Sequence, residues 1–300
     1  MKTMLFIYLL FLGLGVFSPG DGDSPQENQD QSKFRREVKR SNENTVYVRV
    51  QIGHGQVFID RAPQSRIFVG EFSFTHRPPV VAYEVVGDEG RLSVKFARKQ
   101  RKSKEPSSKD DYDIELDKDE TGESVLNFTD EIPLNLNLDL GVIEGRLNLG
   151  GLQIQECEIT TAVSKSASVE FSHPNPIPMR SLRVENGVGK MKLLNLGNAN
   201  FSDFYFSGGV GSYRLDFRGE LKQAANVEIE VGVGKVKLLL PRDAGVRIRV
   251  DKSFLSRFSI DEVYKEGQYY YNPQWGKTER QLDIKIDAGL GKVAVVWVDN

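Results

Sequence analysis

A Gly-x-Gly step that recurs at almost constant spacing constrains this chain more than any other feature. It appears in "VENGVGKMKLL" (184–194), "FSGGVGSYRLDF" (206–217), "IEVGVGKVKLLL" (229–240) and "IDAGLGKVAVV" (286–296), as the pairs Gly187/Gly189, Gly209/Gly211, Gly232/Gly234 and Gly289/Gly291. The first glycines are separated by 22, 23 and 57 residues, and a degenerate copy, "DKSFLSRFSI" (251–260), restores a step of 22 with Phe254 in the glycine's place. Toward the N-terminus, "DLGVIEGRLNL" (139–149) puts Gly141 in register. Ala162-Val163-Ser164 is a worn copy and "QIGHGQVFI" (51–59) a distant one. Self-similarity at this period marks a stacked array, because one such unit cannot bury its apolar face alone.

The phase of the pattern says what each unit is. Before the pair, Val227, Ile229, Val231 and Val233 alternate with polar residues; after it, Val236, Leu238 and Leu240 do. The inward parity flips across the glycines, as it does from Ile284, Ile286, Ala288, Leu290 to Val293, Val295, Trp297. A strand that exchanges its faces needs a bend or bulge, and glycine suits that step by accepting positive φ and close backbone approach. Each repeat is therefore expected to be two short strands joined by a glycine corner. The predicted fold is all-β, a β-solenoid of about six coils over 121–300, with an antiparallel β-sandwich or meander as the alternative.

The same residues exclude a nucleotide site. A phosphate loop needs GxxxxGK followed by Ser or Thr and then a helix. Here Lys190, Lys235 and Lys292 precede Met191, Val236 and Val293, and no stretch of a dozen residues shows helical periodicity. A net charge of -2 argues against a nucleic-acid partner, and a single cysteine, Cys157, excludes disulfide frameworks and cysteine zinc sites.

Lys2, the apolar run Met4 to Phe17 and Ser18-Pro19-Gly20 have the layout of a secretory signal, so residues 1–20 are read as a signal peptide cleaved after Gly20. The mature chain is expected to be exported, periplasmic or extracellular. Residues 21–44 are almost devoid of apolar side chains and are expected to be a flexible leader. Its cations Lys33, Arg35, Arg36, Lys39 and Arg40 offer a peripheral contact to anionic lipid or wall polymer. Strand-like alternation begins at Thr45 and defines a small N-terminal β domain (45–97), and the segregated charges of 98–120 read as an exposed linker.

The repeats, the motif "GRLNL" (145–149) and the block "VRVQIGHGQVFI", "FVGEFSF", "VVAYEVVGDEGRLSV" resemble the bacterial toast-rack and LiaF-like cell-envelope proteins and related adhesin-like proteins. The resemblance implies a β-solenoid, a role linked to envelope-stress sensing and no catalytic residues to carry over. This chain departs from the LiaF type by having a signal-like segment in place of membrane helices.

No catalytic motif stands out. His54, His76 and His173 are scattered, and neither GxSxG nor HExxH occurs. No cofactor, metal centre or enzymatic activity is expected; a polysaccharide-active enzyme built from outward carboxylates is the remaining catalytic alternative. Glu185, Glu230 and Asp287 form an acidic column before the glycines, and Lys190, Lys235, Arg257 and Lys292 a basic column after them. Adjacent columns of opposite sign would relieve each other's repulsion, or the basic one would form a polyanion-binding strip. "DKDETGES" (117–124) starts like a calcium loop, with Asp117, Asp119, Thr121 and Gly122, but Phe128 stands where the bidentate Glu belongs, leaving only a partial site with Asp130 or Glu131. The insertion at 261–277 carries Tyr264, Tyr269, Tyr270, Tyr271 and Trp275, the predicted binding residues for an envelope protein or a cell-wall or surface glycan. The alternative is that these rings cover the last coil's edge. The function expected is a non-catalytic, exported envelope binding or scaffold protein, or else a surface adhesin.

Overall fold

The computed structural model describes residues 32–75, 77–96, 122–252 and 256–300. The expected signal peptide, the linker 98–120, His76, Phe254 and the calcium-loop residues Asp117, Asp119 and Thr121 lie outside the described residues. The strands are β1 (Ser32–Lys39), β2 (Thr45–Arg61), β3 (Arg66–Phe74), β4 (Val80–Val86), β5 (Glu89–Lys95), β6 (Glu123–Phe128), β7 (Leu134–Asn148), β8 (Ile154–Glu170), β9 (Met179–Leu194), β10 (Phe201–Asp216), β11 (Ala225–Pro241), β12 (Gly245–Lys252), β13 (Ser256–Ser259), β14 (Tyr264–Glu266), β15 (Tyr269–Tyr271) and β16 (Gln281–Val298). They join in one 16-stranded sheet. Among the described residues the only helix is a single 3-10 turn, Leu196–Ala199, and none is long and apolar enough to cross a membrane.

The long strands β2, β7, β8, β9, β10, β11 and β16 stack in parallel, which excludes the antiparallel sandwich. Each runs through its corner as a single strand, with register shifts only where β8, whose corner is Ala162-Val163-Ser164, meets its neighbours, so the two expected short strands are two arms of one bent strand. Arm 1 precedes the corner and arm 2 follows it. In β11 the core takes Val227, Ile229 and Val231 from arm 1, then Val236, Leu238 and Leu240 from arm 2. Corner residues differ from the parity expectation. Val233 and Leu290 are exposed, because the chain turns outward between the arms.

Inter-rung packing explains the glycines. A Cβ on Gly232 or Gly289 would come closer than 3.0 Å to the carbonyl oxygen of the corner residue on the rung below, Gly209 or Gly232 respectively. Gly141, Gly187 and Gly209 meet the carbonyls of Gly53, Ala162 and Gly187 in the same way. At the second position Gly189, Gly211, Gly234 and Gly291 each face the carbonyl below, and Gly234 and Gly291 also take φ of +146° and +138°. The first glycine therefore answers to close approach alone, while the second often needs the unusual φ as well.

Opposite the corners, return segments close each coil and hydrogen bond from rung to rung. Asn175, fully buried, accepts from the Ile154 amide at 3.1 Å and donates to the carbonyls of Ile154 (2.8 Å) and Ala199 (3.2 Å). It thus satisfies backbone groups that the tight returns would leave unpaired. Asn272 does the same between Val246 and Ala244.

The ends depart from simple succession. Residues 32–39 are not a loose leader: β1 pairs antiparallel with the edge of β3, burying Val38. Strands β5 and β6 together form the rung beside β2, β5 against arm 1 and β6 against arm 2, so strands on both sides of 98–120 share one sheet and one core. At the other end β16 lies between β11 and β12. The degenerate copy, β12 with β13, therefore caps the stack instead of occupying the gap between β11 and β16.

Asp216 is a fully buried carboxylate held by Arg218 at 2.7 Å and Arg214 at 3.2 Å. Burial pulls its pKa up, but the Arg218 side-chain and backbone hydrogen bonds, with Arg214, outweigh this and leave it below the ordinary carboxylate value. A group lowered in the folded state stabilises the fold above its unfolded pKa, about 4, and loses that contribution as pH falls further. Thermal melts should place D216N well below the parent at neutral pH, with the gap narrowing below about pH 4. At the corners, G232A and G289A should each cost about 1–3 kcal/mol in denaturant unfolding, through overpacking. G53A, with nothing within 4 Å of its added Cβ, should be nearly silent.

Candidate functional site

Arm 1 turns one set of side chains to the core and the alternate set to solvent. In-register stacking makes each outward position a column running up the array. One column passes through Arg49, Asn137, Glu158, Arg183, Tyr205, Glu228, Lys285 and Arg249 to Tyr269. Its polar groups are tied to their neighbours. Asn137 Nδ2 donates to Glu158 at 2.8 Å and Lys285 Nζ lies 2.6 Å from Glu228, while at the next outward position Asn226 donates to Asp203 at 3.0 Å. Arg183 sits 4.0 Å over the Tyr205 ring and 2.6 Å from Glu185. The Tyr205 hydroxyl donates to Glu230 at 2.9 Å, and burial followed by that bond holds the phenol above its ordinary pKa. Arg247 engages Asp283, and Arg249 lies 2.9 Å from Asp251.

Two open troughs follow this face, of about 860 Å³ and about 560 Å³, and both are lined by Ser181 and Arg183. Ala82, Tyr83 and Glu84 of β4 line the first, and Tyr269 of β15 lines the second. The face thus carries fixed donors and acceptors interleaved with aromatic rings, between two hairpins.

The second hairpin contains the predicted aromatic residues, and the structure divides them. Strand β15 pairs antiparallel with β12, and β14 with β15, so the hairpin covers the last coil's edge with a three-residue outer strand. Tyr270 turns inward onto Phe258, ring centroids 5.2 Å apart, and packs against the core. Tyr264 stacks on Tyr271 at 5.3 Å, and Tyr269 and Trp275 flank Tyr271 at 6.1 and 6.2 Å. The Arg247 guanidinium lies 5.0 Å from the Tyr269 ring and 4.9 Å from Trp275. Four of the five rings thus form one outward cluster beside the arm 1 face.

Several other candidates resolve differently. The acidic and basic columns lie on different arms, separated by the corner, so they do not relieve each other. Glu185 and Glu230 find their partners within arm 1, as above. Asp130 and Glu131 are engaged by Arg61 (3.9 Å) and Arg40 (3.2 Å). Among the described residues no three His, Cys, Asp or Glu side chains converge as a metal site. Arg35 pairs with Glu37 and Glu71, so the N-terminal cations are partly neutralised in place. Cys157 is buried in the core, and burial pushes its thiol up to about 12. The column through Arg183 and Tyr205 was missed in the sequence, although it sits four residues before the first glycine of each repeat. Aligning the copies two positions further back would have revealed it.

The architecture is a glycine-cornered β-solenoid whose arm 1 presents in-register polar and aromatic side chains to solvent. Residues 26–175 and 165–239 match the model of the N-terminal domain of toast_rack, DUF2154, and the chain belongs to the toast-rack family. No curated protein sequence matches it. Similar solved structures include a "putative cell adhesion protein" from Clostridium sporogenes, at 19% identity over 90% of this chain and 100% of that one, TM-score 0.44. Others are a "putative adhesin" from Bacteroides fragilis (13%, 89% and 99%, TM-score 0.32) and a "putative lipid binding protein" from Parabacteroides distasonis (10%, 88% and 96%, TM-score 0.35). The family assignment rests on the sequence match alone.

The divided aromatic set has a direct check. Y270A should lower stability by about 2–3 kcal/mol through loss of packing, whereas Y264A, at an exposed ring, should change it by less than about 1 kcal/mol in urea unfolding.

Proposed function

We propose that this protein is a non-catalytic, exported binding protein of the cell envelope, and that its ligand is an extended glycan lying along the outer face of arm 1. The observation that carries this is the unbroken polar and aromatic column from Arg49 to Tyr269, ending against the Tyr264, Tyr271 and Trp275 cluster. Stacked parallel rungs at about 4.8 Å repeat similar chemistry along the array, which suits a polymer better than a compact small molecule. Rings offer flat apolar faces to sugars, while Arg, Asn and Asp groups already held by neighbours meet hydroxyls with little loss of side-chain entropy. Toast-rack membership and the signal-like N-terminus support the envelope location. Envelope-stress sensing belongs to the same reading, with occupancy of the face as the sensed quantity.

Binding of the full chain to an array of wall and surface glycans tests this. At least one glycan class should be retained, and Y205A, Y269A and W275A should each weaken it by about tenfold, near 1.4 kcal/mol. Equal binding by the triple variant would move the site away from this face.

A further inference from the structure

The opposite face carries a different chemistry that arm 1 does not explain. On β9, β11, β16 and β13, the outward positions of arm 2 present Lys190, Lys192, Lys235, Lys237, Lys292 and Arg257, with Ser212 and Arg214 at the matching positions of β10. All six are exposed, and among the described residues none lies within ion-pairing distance of a carboxylate. The one carboxylate on arm 2 of these rungs is Asp216, already buried between Arg214 and Arg218. Lys235, Lys292 and Arg257 stand on successive neighbouring rungs, where like charges repel.

Beside these cations runs an apolar ridge. The corner residues Val188, Val210, Val233 and Leu290 are aligned in register and expose 49%, 45%, 41% and 46% of their surface. Four adjacent aliphatic side chains at the apex of four rungs form a contiguous patch, unlike scattered surface valines. On the acidic side Glu185 and Glu230 are held by Arg183 and Tyr205, whereas the six cations of the basic side have no such partners among the described residues. Unpaired cations select an anionic partner, and the ridge selects one that also offers apolar depth. A soluble polyanion satisfies only the first demand.

We infer that the corner edge and arm 2 form a peripheral docking surface for an anionic phospholipid bilayer. Val188, Val210, Val233 and Leu290 enter the interface and the flanking lysines meet the lipid phosphates. Long basic side chains beside apolar residues at an interface combine both attractions, and binding weakens as salt screens the phosphates. The molecule lies tilted onto arm 2, which leaves the arm 1 face free.

Cys157 is buried, so a cysteine introduced at the surface can be labelled selectively. Full-length V210C carrying a polarity-sensitive dye is mixed with vesicles of phosphatidylglycerol and phosphatidylcholine, with vesicles of phosphatidylcholine alone and with soluble polyphosphate. N226C, on arm 1, reports the opposite face, so insertion by any other part of the chain is separated from docking at the corner. The expected result is a blue shift of the V210C label on anionic vesicles only, reversed at high salt, with none from N226C. Combining K190Q, K235Q, K237Q and K292Q should weaken this response at least tenfold, with no loss of thermal stability, since repelling charges are removed. The inference is overturned by any one of four results: no shift on anionic vesicles, an equal shift on phosphatidylcholine, a response indifferent to the four lysine changes, or an equal shift with polyphosphate, which would make arm 2 a polyanion strip.

Discussion

Everything in this protein depends on backbone carbonyls that stand where the next rung's Cβ atoms would be. At the corners, the oxygen of Gly209 occupies the space beside Gly232, and that of Gly232 the space beside Gly289. This contact fixes the height and lateral position of each rung on the last. Once it is fixed, parallel pairing places every side chain over its counterpart, and the core, the columns and the ridge follow without further specification. A side chain at such a corner would push the rungs apart and lose hydrogen bonds along both arms.

Register of this kind also sorts charge. On arm 1, opposite charges fall on neighbouring rungs or two residues apart, as Glu228 with Lys285 and Arg183 with Glu185 do, and they close locally. On arm 2 of β9, β11, β16 and β13 the same stacking aligns cations, and the one acid on β10 between them, Asp216, is already taken up by Arg214 and Arg218. The corner keeps the two faces apart, so neither neutralises the other, and the two sides of one ladder are chemically different surfaces.

The repeated part was legible because its signals are local. Parity reversal at Val231 and Val236 and glycine pairs at a regular step encode a bent strand within a dozen residues. What escaped was long-range. Strand β1 buries only Val38 and half-buries Phe34, too little to make an alternating pattern, and its partner β3 begins far along the chain. Asn175 and Asn272 look like ordinary loop residues until the returns stack and their amides bridge the rungs. Corner exposure of Val233 and Leu290 was hidden because parity counting carries a strand straight through a bend. The aromatic insertion was visible as a departure from the repeat, but only the antiparallel pairing of β15 with β12 separates inward Tyr270 from the outward rings.

The placement of β16 between β11 and β12 has a consequence for how the molecule is made. A chain that emerges N-terminus first can lay β7 to β11 one on another as each appears. The next strand out, β12, must then wait, because its seat is on a strand that has not yet emerged. Completion therefore comes from the tail, which slides in beneath a segment that preceded it and carries the capping hairpin to its final position. Strand order thus runs against chain order at this end, and until β16 is in place neither β11 nor β12 has its parallel neighbour on that side.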